Sequence, residues 1–377
     1  MLYIFLSVNK RYRGERKGNE TMSVPKFTKL AMTALRSNFS QLKRPYKLTF
    51  AITYWCQSRC THCNIWEIRP KGELSIEDIR QFAQKNNHFN WLELSGGEPF
   101  MRGDIVEIVK AFHENSKGLY LLTIPTNSLC NHDMLISKIE QMLQLGIPKV
   151  VMTISLDGYR EMHDKIRGIP GNFDKAVDMF KRLRELRKSY KNLYFYFGYT
   201  IIKANQGQFE QCFEGVKKEI PDITYNDFHI NVGQLSDIYY TNTGNNILAD
   251  RNVVAQDIKE LIKKRRMQFS ITKTFENTIE NAFLKNLVDF VSKDETPMRS
   301  RSLDASLFMD SYGNVYPSIM WSRRIGNIKE SGYSLEPLWH NDEAEQVRKL
   351  IKEGKEPKGW TACEAYQTLV GNIASLL

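Results

Sequence analysis

Three cysteines occur within eight residues, at Cys56, Cys60 and Cys63, directly after the apolar run 48–54. Thiolates at this C-x3-C-x2-C spacing share one short loop and can point at one common centre. Cysteine thiolates are the usual protein ligands of iron–sulfur clusters, and a cubane cluster has four irons. Three ligands therefore leave one iron open, so that a small molecule can bind the metal directly. The loop is a candidate catalytic centre.

Structural zinc and simple electron transfer are the competing interpretations of this loop. Zinc requires a fourth ligand, and His62 is adjacent to Cys63, so both side chains bind one ion only under strain. An electron-transfer cluster normally uses four cysteines, and the loop supplies three. The cysteine spacing therefore favours a cluster with an open iron.

Three further polar motifs also follow strand-like segments. They are Ser95-Gly96-Gly97-Glu98-Pro99, then Pro125-Thr126-Asn127-Ser128, and then Ser155-Leu156-Asp157-Gly158 with Arg167 twelve residues after Ser155. Paired glycines allow positive φ angles and the close approach of a ligand to the backbone. The arginine fork can bind a carboxylate with two charge-assisted hydrogen bonds.

Length and composition indicate a globular protein with a sizeable core. The chain has 377 residues, of which 42% are hydrophobic and 11% aromatic. A formal charge of +10 permits contact with nucleic acid, anionic lipid or an acidic peptide, but a solvated basic surface is the more frequent explanation. The six cysteines are clustered rather than spread as a disulfide framework, so we expect a cytoplasmic, reducing environment. No run approaches the ~20 apolar residues of a membrane span.

Strand-like and helix-like segments alternate between residues 47 and 232. The predicted strands are 48–54, 91–95, 119–125, 149–155, 193–201 and 227–232, and the predicted helices are 75–86, 104–115, 133–145, 172–190 and 208–219. Such alternation predicts an α/β fold whose parallel strands are joined by right-handed crossovers. Six units are too few for a closed eightfold barrel, so we predict a partial six-stranded one. The polar motifs then gather at the carboxyl ends of the strands.

The cysteine loop followed about thirty residues later by Gly-Gly-Glu-Pro resembles the signature of the radical S-adenosylmethionine (radical SAM) enzymes. The run from Ser155 to Phe173 is similar to the branch with molybdopterin-precursor, coenzyme-PQQ and sulfatase-maturating enzymes. This resemblance covers residues 45–235 and implies a partial (β/α)6 TIM-like barrel. It also implies one [4Fe–4S] cluster, S-adenosylmethionine, and a small reductant protein of the flavodoxin or ferredoxin type. The implied reaction is reductive cleavage of S-adenosylmethionine to a 5′-deoxyadenosyl radical that abstracts hydrogen from a substrate.

The resemblance also implies a role for particular residues. The metal ligands are Cys56, Cys60 and Cys63, and the cofactor-binding residues are His62, Gly96, Gly97, Glu98, Pro99, Asn127, Ser155, Asp157 and Arg167. Backbone carbonyls of the glycine motif hold the amino group of S-adenosylmethionine, and Arg167 pairs with its carboxylate. His62 packs beside the adenine, in a place where the family usually has an aromatic residue. Thr200 and Asn205 are further candidates for the adenine pocket, and no catalytic acid or base is named.

The carboxyl-terminal segment looks like the auxiliary-cluster domains known as SPASM and twitch domains. The matching stretches are 312–318 and 359–364, but Ser318 and Gly359 stand where cysteines are expected. Cys363 remains, while Cys130 and Cys212 lie in barrel segments. We therefore predict a twitch-like extension without a second cluster, which favours redox-neutral chemistry or addition over dehydrogenation.

We expect five regions along the chain. They are a basic disordered segment 1–24, an amphipathic helix 25–44, the barrel 45–245, a helical connector 246–300 and the degenerate extension 301–377. The helix 25–44 either packs on the barrel or lies on a membrane surface as a peripheral contact. Nucleic acid is an unlikely partner, since the basic run 263–266 fits a solvated helix end.

The sequence leaves the substrate open among a peptide, a lipid-linked molecule and a small metabolite. Two functional alternatives also stay open. One is a non-catalytic iron–sulfur scaffold or electron-transfer protein, and the other is a radical SAM enzyme that modifies nucleic acid.

Overall fold

The computed structural model describes residues 23–267 and 274–372. Six strands form the barrel part of the sheet, namely β1 (Lys47–Thr53), β2 (Trp91–Gly96), β3 (Leu121–Thr126), β4 (Lys149–Ser155), β5 (Leu193–Ile201) and β6 (Phe228–Val232). Each strand pairs in parallel with the next one along the chain. The predicted partial barrel of six parallel strands is confirmed.

Helices join the strands and continue beyond them. They are α1 (Ser23–Arg36), α2 (Ile76–Lys85), α3 (Ile105–Asn115), α4 (His132–Gln144), α5 (Glu161–Arg167), α6 (Asn172–Ser189), α7 (Phe209–Glu219), α8 (Arg251–Met267), α9 (Thr274–Lys293), α10 (Glu336–Trp339), α11 (Asp342–Lys352) and α12 (Ala362–Val370). Ser75 caps α2, because its side chain accepts from the Asp78 amide while the Asp78 carboxylate accepts from the Ser75 amide. The short helix α5 was not predicted.

The two faces of the barrel strands differ in burial. In β5, Phe195 and Phe197 are buried against the helices, and the Phe197 ring stacks on Phe180 of α6 with 4.3 Å between centroids. Tyr194 and Tyr196, which alternate with them, are partly exposed on the inner face. The apolar core therefore lies between the strands and the helices, while the inner face carries the polar groups.

The carboxyl-terminal extension continues the same sheet. Strand β7 (Ser306–Met309) pairs in parallel with β1, and β8 (Asn314–Tyr316) and β9 (Gly326–Asn327) follow in antiparallel pairing. The hairpin formed by β7 and β8 is thus joined to the edge of the barrel. Helix α12 covers the inner face at the start of β1, where Lys47 Nζ lies 3.0 Å from Gln367 Oε1.

The amino-terminal helix packs on the body of the protein. Helix α1 ends at Arg36 rather than near residue 44, and Ala34 on it is buried in one cluster with Tyr46 and Ala305. Residues 1–22, which hold most of the segment expected to be disordered, lie outside the described residues. In the part of the chain that the structure describes, no helix has the length and apolarity to cross a bilayer.

Candidate cofactor site

The cysteine loop leaves the carboxyl end of β1 and is held against the end of α5. The Arg59 and Thr61 amides donate to the carbonyls of Arg167 and Ile166, both at 2.9 Å. Cys60 is buried, and Cys56 and Cys63 are partly buried; all three thiols are free. Backbone pairing on both sides of Cys60 therefore fixes the direction in which the loop presents its thiols.

A segment after β6, residues 234–245, holds the other side of the cysteine loop. Asn242 Nδ2 donates to the His62 carbonyl at 2.8 Å, and Asn245 Nδ2 donates to the Thr61 carbonyl at 3.1 Å. The Asn64 amide in turn donates to the Tyr240 carbonyl at 2.9 Å. Sequence reasoning missed this segment; its run of asparagines after the sixth strand was the available signal.

The glycine motif lies directly against the cysteine loop. A Cβ on Gly97 would lie 2.2 Å from the Trp55 carbonyl oxygen and 2.9 Å from Cys56 Cβ. Gly96 has φ +127°, and a Cβ there would lie 2.0 Å from the Thr53 carbonyl oxygen. Only glycine allows this approach of the two loops. The structure thus brings Gly96 and Gly97 together with the cysteines.

Glu98 connects the end of β2 to the end of β3 through hydrogen bonds. Its Oε2 accepts from the Asn127 amide at 2.7 Å, and its Oε1 accepts from Thr126 Oγ1 at 3.1 Å and from the Phe100 amide at 3.2 Å. Burial raises the pKa of Glu98 to about 7. Pro99, which is also buried, begins the 3₁₀ turn Pro99–Met101 that follows.

Asn127 reaches the cysteine loop from the end of β3. Its Nδ2 donates to Ser58 Oγ at 2.9 Å and lies 3.8 Å from Cys56 Sγ. Ser128 has φ +63°, a left-handed backbone conformation that favours glycine. Asn127 therefore contacts the candidate metal centre and is more than an ordinary turn residue.

Arg167 is buried at the cysteine loop and is not a surface arginine. Its Nε pairs with Asp157 Oδ2 at 2.7 Å, and its Nη1 lies 3.6 Å from Cys60 Sγ. Burial opposes ionisation of Asp157, but the guanidinium outweighs it and holds the pKa of Asp157 below its usual value. Ser155, at the end of β4, is partly exposed on the inner face.

Asp157 is fully buried and is held from several sides. The Thr200 amide donates to its Oδ1 at 2.9 Å, and Asn205 Nδ2 donates to its backbone carbonyl at 2.8 Å. The Asp157 amide donates to His163 Nδ1 at 2.9 Å. Thr200 and Asn205, expected beside the adenine, make these contacts to Asp157, which in turn positions Arg167.

The donor set fits an iron–sulfur cluster better than a single metal ion. Within residues 23–267 and 274–372, no three His, Cys, Asp or Glu side chains are placed to hold one ion. In a cubane each thiolate binds a different iron, so the sulfurs need not converge on one point. Next to the thiols, His62 Nδ1 and Gln57 Oε1 are buried without a hydrogen-bond partner in the described protein, and a polar ligand would satisfy them.

Comparison with known proteins agrees with this geometry. Residues 50–214 match the family model described as the radical SAM superfamily. The chain carries a radical SAM domain. Enzymes with this domain use a [4Fe–4S] cluster and S-adenosylmethionine, so the enzyme class and the cofactor types expected from the sequence are confirmed.

Individual relatives extend the similarity beyond the barrel. The chain is 25% identical to the AdoMet-dependent heme synthase of Methanosarcina barkeri over 329 residues, which cover 84% of this chain and 87% of that protein. It is 23% identical to the pre-heme d1 synthase of Dinoroseobacter shibae over 350 residues, covering 85% and 79%. The structure of anSMEcpe with bound AdoMet superposes with a TM-score of 0.57 at 15% identity, covering 88% of this chain and 98% of that one, which shows a shared fold.

Proposed function

We propose that Cys56, Cys60 and Cys63 hold one [4Fe–4S] cluster whose open iron binds S-adenosylmethionine. When bound, the two cofactors supply a 5′-deoxyadenosyl radical that takes a hydrogen atom from the substrate. The observation that carries the proposal is the contact between the cysteine loop and the glycine motif, since a Cβ on Gly97 would meet Cys56 Cβ at 2.9 Å. A ligand on the open iron would lie beside the glycine carbonyls.

The protein's own residues bind and orient the cofactor in this proposal. The carbonyls of the glycine motif accept hydrogen bonds from the ammonium group of S-adenosylmethionine. Arg167 has five N–H donors, and Asp157 and Cys60 occupy only part of them. The remaining donors are available to the cofactor's carboxylate, and His62 and Ser155 line the same side. Asn127 contacts Cys56 and limits the space on that side of the loop.

One cluster per chain is part of the proposal. Ser318 and Gly359, which replace the expected cysteines, line one pocket together with Glu356 and Glu364. Hydroxyl and carboxylate groups are hard ligands that suit iron–sulfur clusters less well than thiolates. Electron removal from a substrate radical through a second cluster is therefore not part of the proposed chemistry.

Anaerobic reconstitution tests this proposal. We expect about four irons per chain and formation of 5′-deoxyadenosine after addition of S-adenosylmethionine and dithionite. About eight irons would contradict the single-cluster claim. Four irons without any 5′-deoxyadenosine would instead support a non-catalytic scaffold or electron-transfer protein.

The full-length relatives favour a tetrapyrrole as the substrate class. Two relatives that each match more than four fifths of this chain carry names of heme-related synthases. Incubation with an iron–coproporphyrin, in parallel with a peptide, tests the assignment by mass spectrometry. A change in the mass of the porphyrin that requires S-adenosylmethionine is expected, and modification of the peptide alone would overturn the assignment.

A flavodoxin- or ferredoxin-type protein is the proposed electron donor, and replacement of dithionite by reduced flavodoxin tests it. Turnover with dithionite but none with either protein donor would contradict this assignment.

Binding of RNA with an affinity that falls as the salt concentration rises would support the alternative of a radical SAM enzyme that modifies nucleic acid.

A further inference from the structure

Tyr239 contacts the glycine motif from outside the matched domain. It belongs to the segment 234–245 and is buried. Its hydroxyl lies 2.5 Å from Ser95 Oγ, 3.1 Å from the Gly96 amide nitrogen and 3.2 Å from the Gly96 carbonyl oxygen. One phenol therefore contacts both polar groups of Gly96 and the side chain before it.

The hydrogen-bond roles follow from the chemistry of each group. An amide can only donate and a carbonyl can only accept, whereas a hydroxyl does both. All three contacts are satisfied when the Gly96 amide and Ser95 Oγ donate to Tyr239 and the Tyr239 hydroxyl donates to the Gly96 carbonyl. This arrangement fixes the orientation of the residue that ends β2, which has the glycine-favouring φ of +127°.

Tyr239 is itself held in place by a closed loop. The Tyr239 amide donates to Ser236 Oγ at 3.0 Å, and the Ser236 amide donates to Asn242 Oδ1 at 2.9 Å. Asn242 is the residue that also donates to the His62 carbonyl on the cysteine loop. The same loop thus contacts the glycine motif through Tyr239 and the cysteine loop through Asn242.

We propose that Tyr239 is a positioning residue for S-adenosylmethionine, which acts by orienting the Gly96 carbonyl toward the cofactor's ammonium group. This inference rests on the proposed function, in which the glycine motif binds that group. A carbonyl oxygen has two lone pairs, so Gly96 can accept from Tyr239 and from the ammonium at once. Tyr239 needs no contact with the cofactor.

The test is the substitution Tyr239→Phe, with Tyr240→Phe as the matched control. The Tyr240 ring packs on Tyr239 with 4.9 Å between centroids, but its hydroxyl takes no part in the three contacts. Equilibrium dialysis of labelled S-adenosylmethionine against the oxidised holoenzyme gives the Kd without turnover. Because one hydrogen bond is removed, we expect Kd to rise about 3- to 10-fold in Tyr239→Phe, with an unchanged Kd in Tyr240→Phe.

Further readouts separate positioning from folding. We expect Tyr239→Phe to keep the iron content of the wild type and to raise the KM for S-adenosylmethionine more than it lowers kcat. Ser95→Ala, which removes one partner of the phenol, is expected to raise Kd in the same direction. An unchanged Kd in Tyr239→Phe, or an equal rise in Tyr240→Phe, would overturn the inference. No binding by the wild-type holoenzyme would overturn the proposed function instead.

Discussion

Arg167 and Asp157 form an ion pair at 2.7 Å inside the barrel, and the same guanidinium lies 3.6 Å from Cys60 Sγ. Both residues are buried, with 9% of Arg167 and none of Asp157 exposed. A buried charge is costly unless it is paired, so the Asp157 carboxylate offsets the cost of burying the Arg167 guanidinium. The Asp157 carboxylate therefore influences the candidate cofactor site by positioning Arg167.

Substitution Asp157→Asn leaves the Arg167 guanidinium buried without a counter-ion. We expect a loss of about 3–5 kcal/mol in the free energy of unfolding, because one partner of a buried pair is removed. We also expect the KM for S-adenosylmethionine to rise at least about tenfold, since hydrogen bonds to charged groups contribute strongly. Denaturant unfolding and steady-state kinetics measure the two effects.

The exposed pair between Arg160 and Asp174 gives the control for that prediction. Its atoms lie 3.1 Å apart, but both side chains are largely accessible to solvent. We expect Asp174→Asn to change neither stability nor KM noticeably. Equal effects of the two substitutions would show that the pair with Arg167 has no special role.

Substitution Gly97→Ala tests the close contact between the two loops. The added Cβ meets the Trp55 backbone carbonyl at 2.2 Å, and a backbone atom can move only with its loop. We expect a loss of about 1–3 kcal/mol in unfolding free energy, together with less iron after reconstitution. Gly103→Ala is the control, because its Cβ would have no neighbour within 4 Å. Retention of full iron content by Gly97→Ala would argue against the contact.

Stability at low pH depends on a cluster that joins the extension to the barrel. Glu280 of α9 lies 3.2 Å from His229 Nδ1 of β6 and 3.0 Å from Arg265 Nη1 of α8, and Tyr366 of α12 donates to it. Burial opposes ionisation of Glu280, but His229 and Arg265 lower its pKa to about 2. The folded-state pKa lies below the ordinary glutamate pKa of 4.5, so the stabilisation is present above about pH 4.5 and is lost as the pH falls toward 2.

The corresponding experiment is the melting temperature between pH 2 and pH 7. We expect the melting temperature of the wild type to fall as the pH is lowered through this window. We expect Glu280→Gln to be less stable at pH 7 and its melting temperature to depend less on pH. An equal pH dependence of the melting temperature in the two proteins would show that Glu280 does not contribute to the loss of stability at low pH.

The barrel was predictable because its signals are local. Alternating apolar residues in β4 and β5 and the cap at Ser75 are encoded within a few neighbouring positions. The predicted strand 149–155 and the predicted strand 193–201 coincide with the observed ones for this reason. The positions of the cysteine loop and glycine motif after β1 and β2 followed from the same pattern.

Contacts between distant segments were not predictable in this way. The parallel pairing of β7 with β1 joins residues some 260 positions apart, and no local pattern specifies it. The pairing of Arg167 with Asp157 and the contact of Tyr239 with Gly96 depend on where α5 and the segment 234–245 lie in the fold. Sequence motifs indicated which residues matter, and only the structure shows how they are held.

The most direct test of the proposed centre is the yield of 5′-deoxyadenosine from single alanine variants of Cys56, Cys60 and Cys63. Each variant is reconstituted anaerobically and supplied with S-adenosylmethionine and dithionite, and Cys212→Ala, on α7 away from the loop, is the matched control. We predict that each of the three variants loses the cluster absorbance and the product, while Cys212→Ala retains both. Product formation by any one of the three at the wild-type rate would contradict the account.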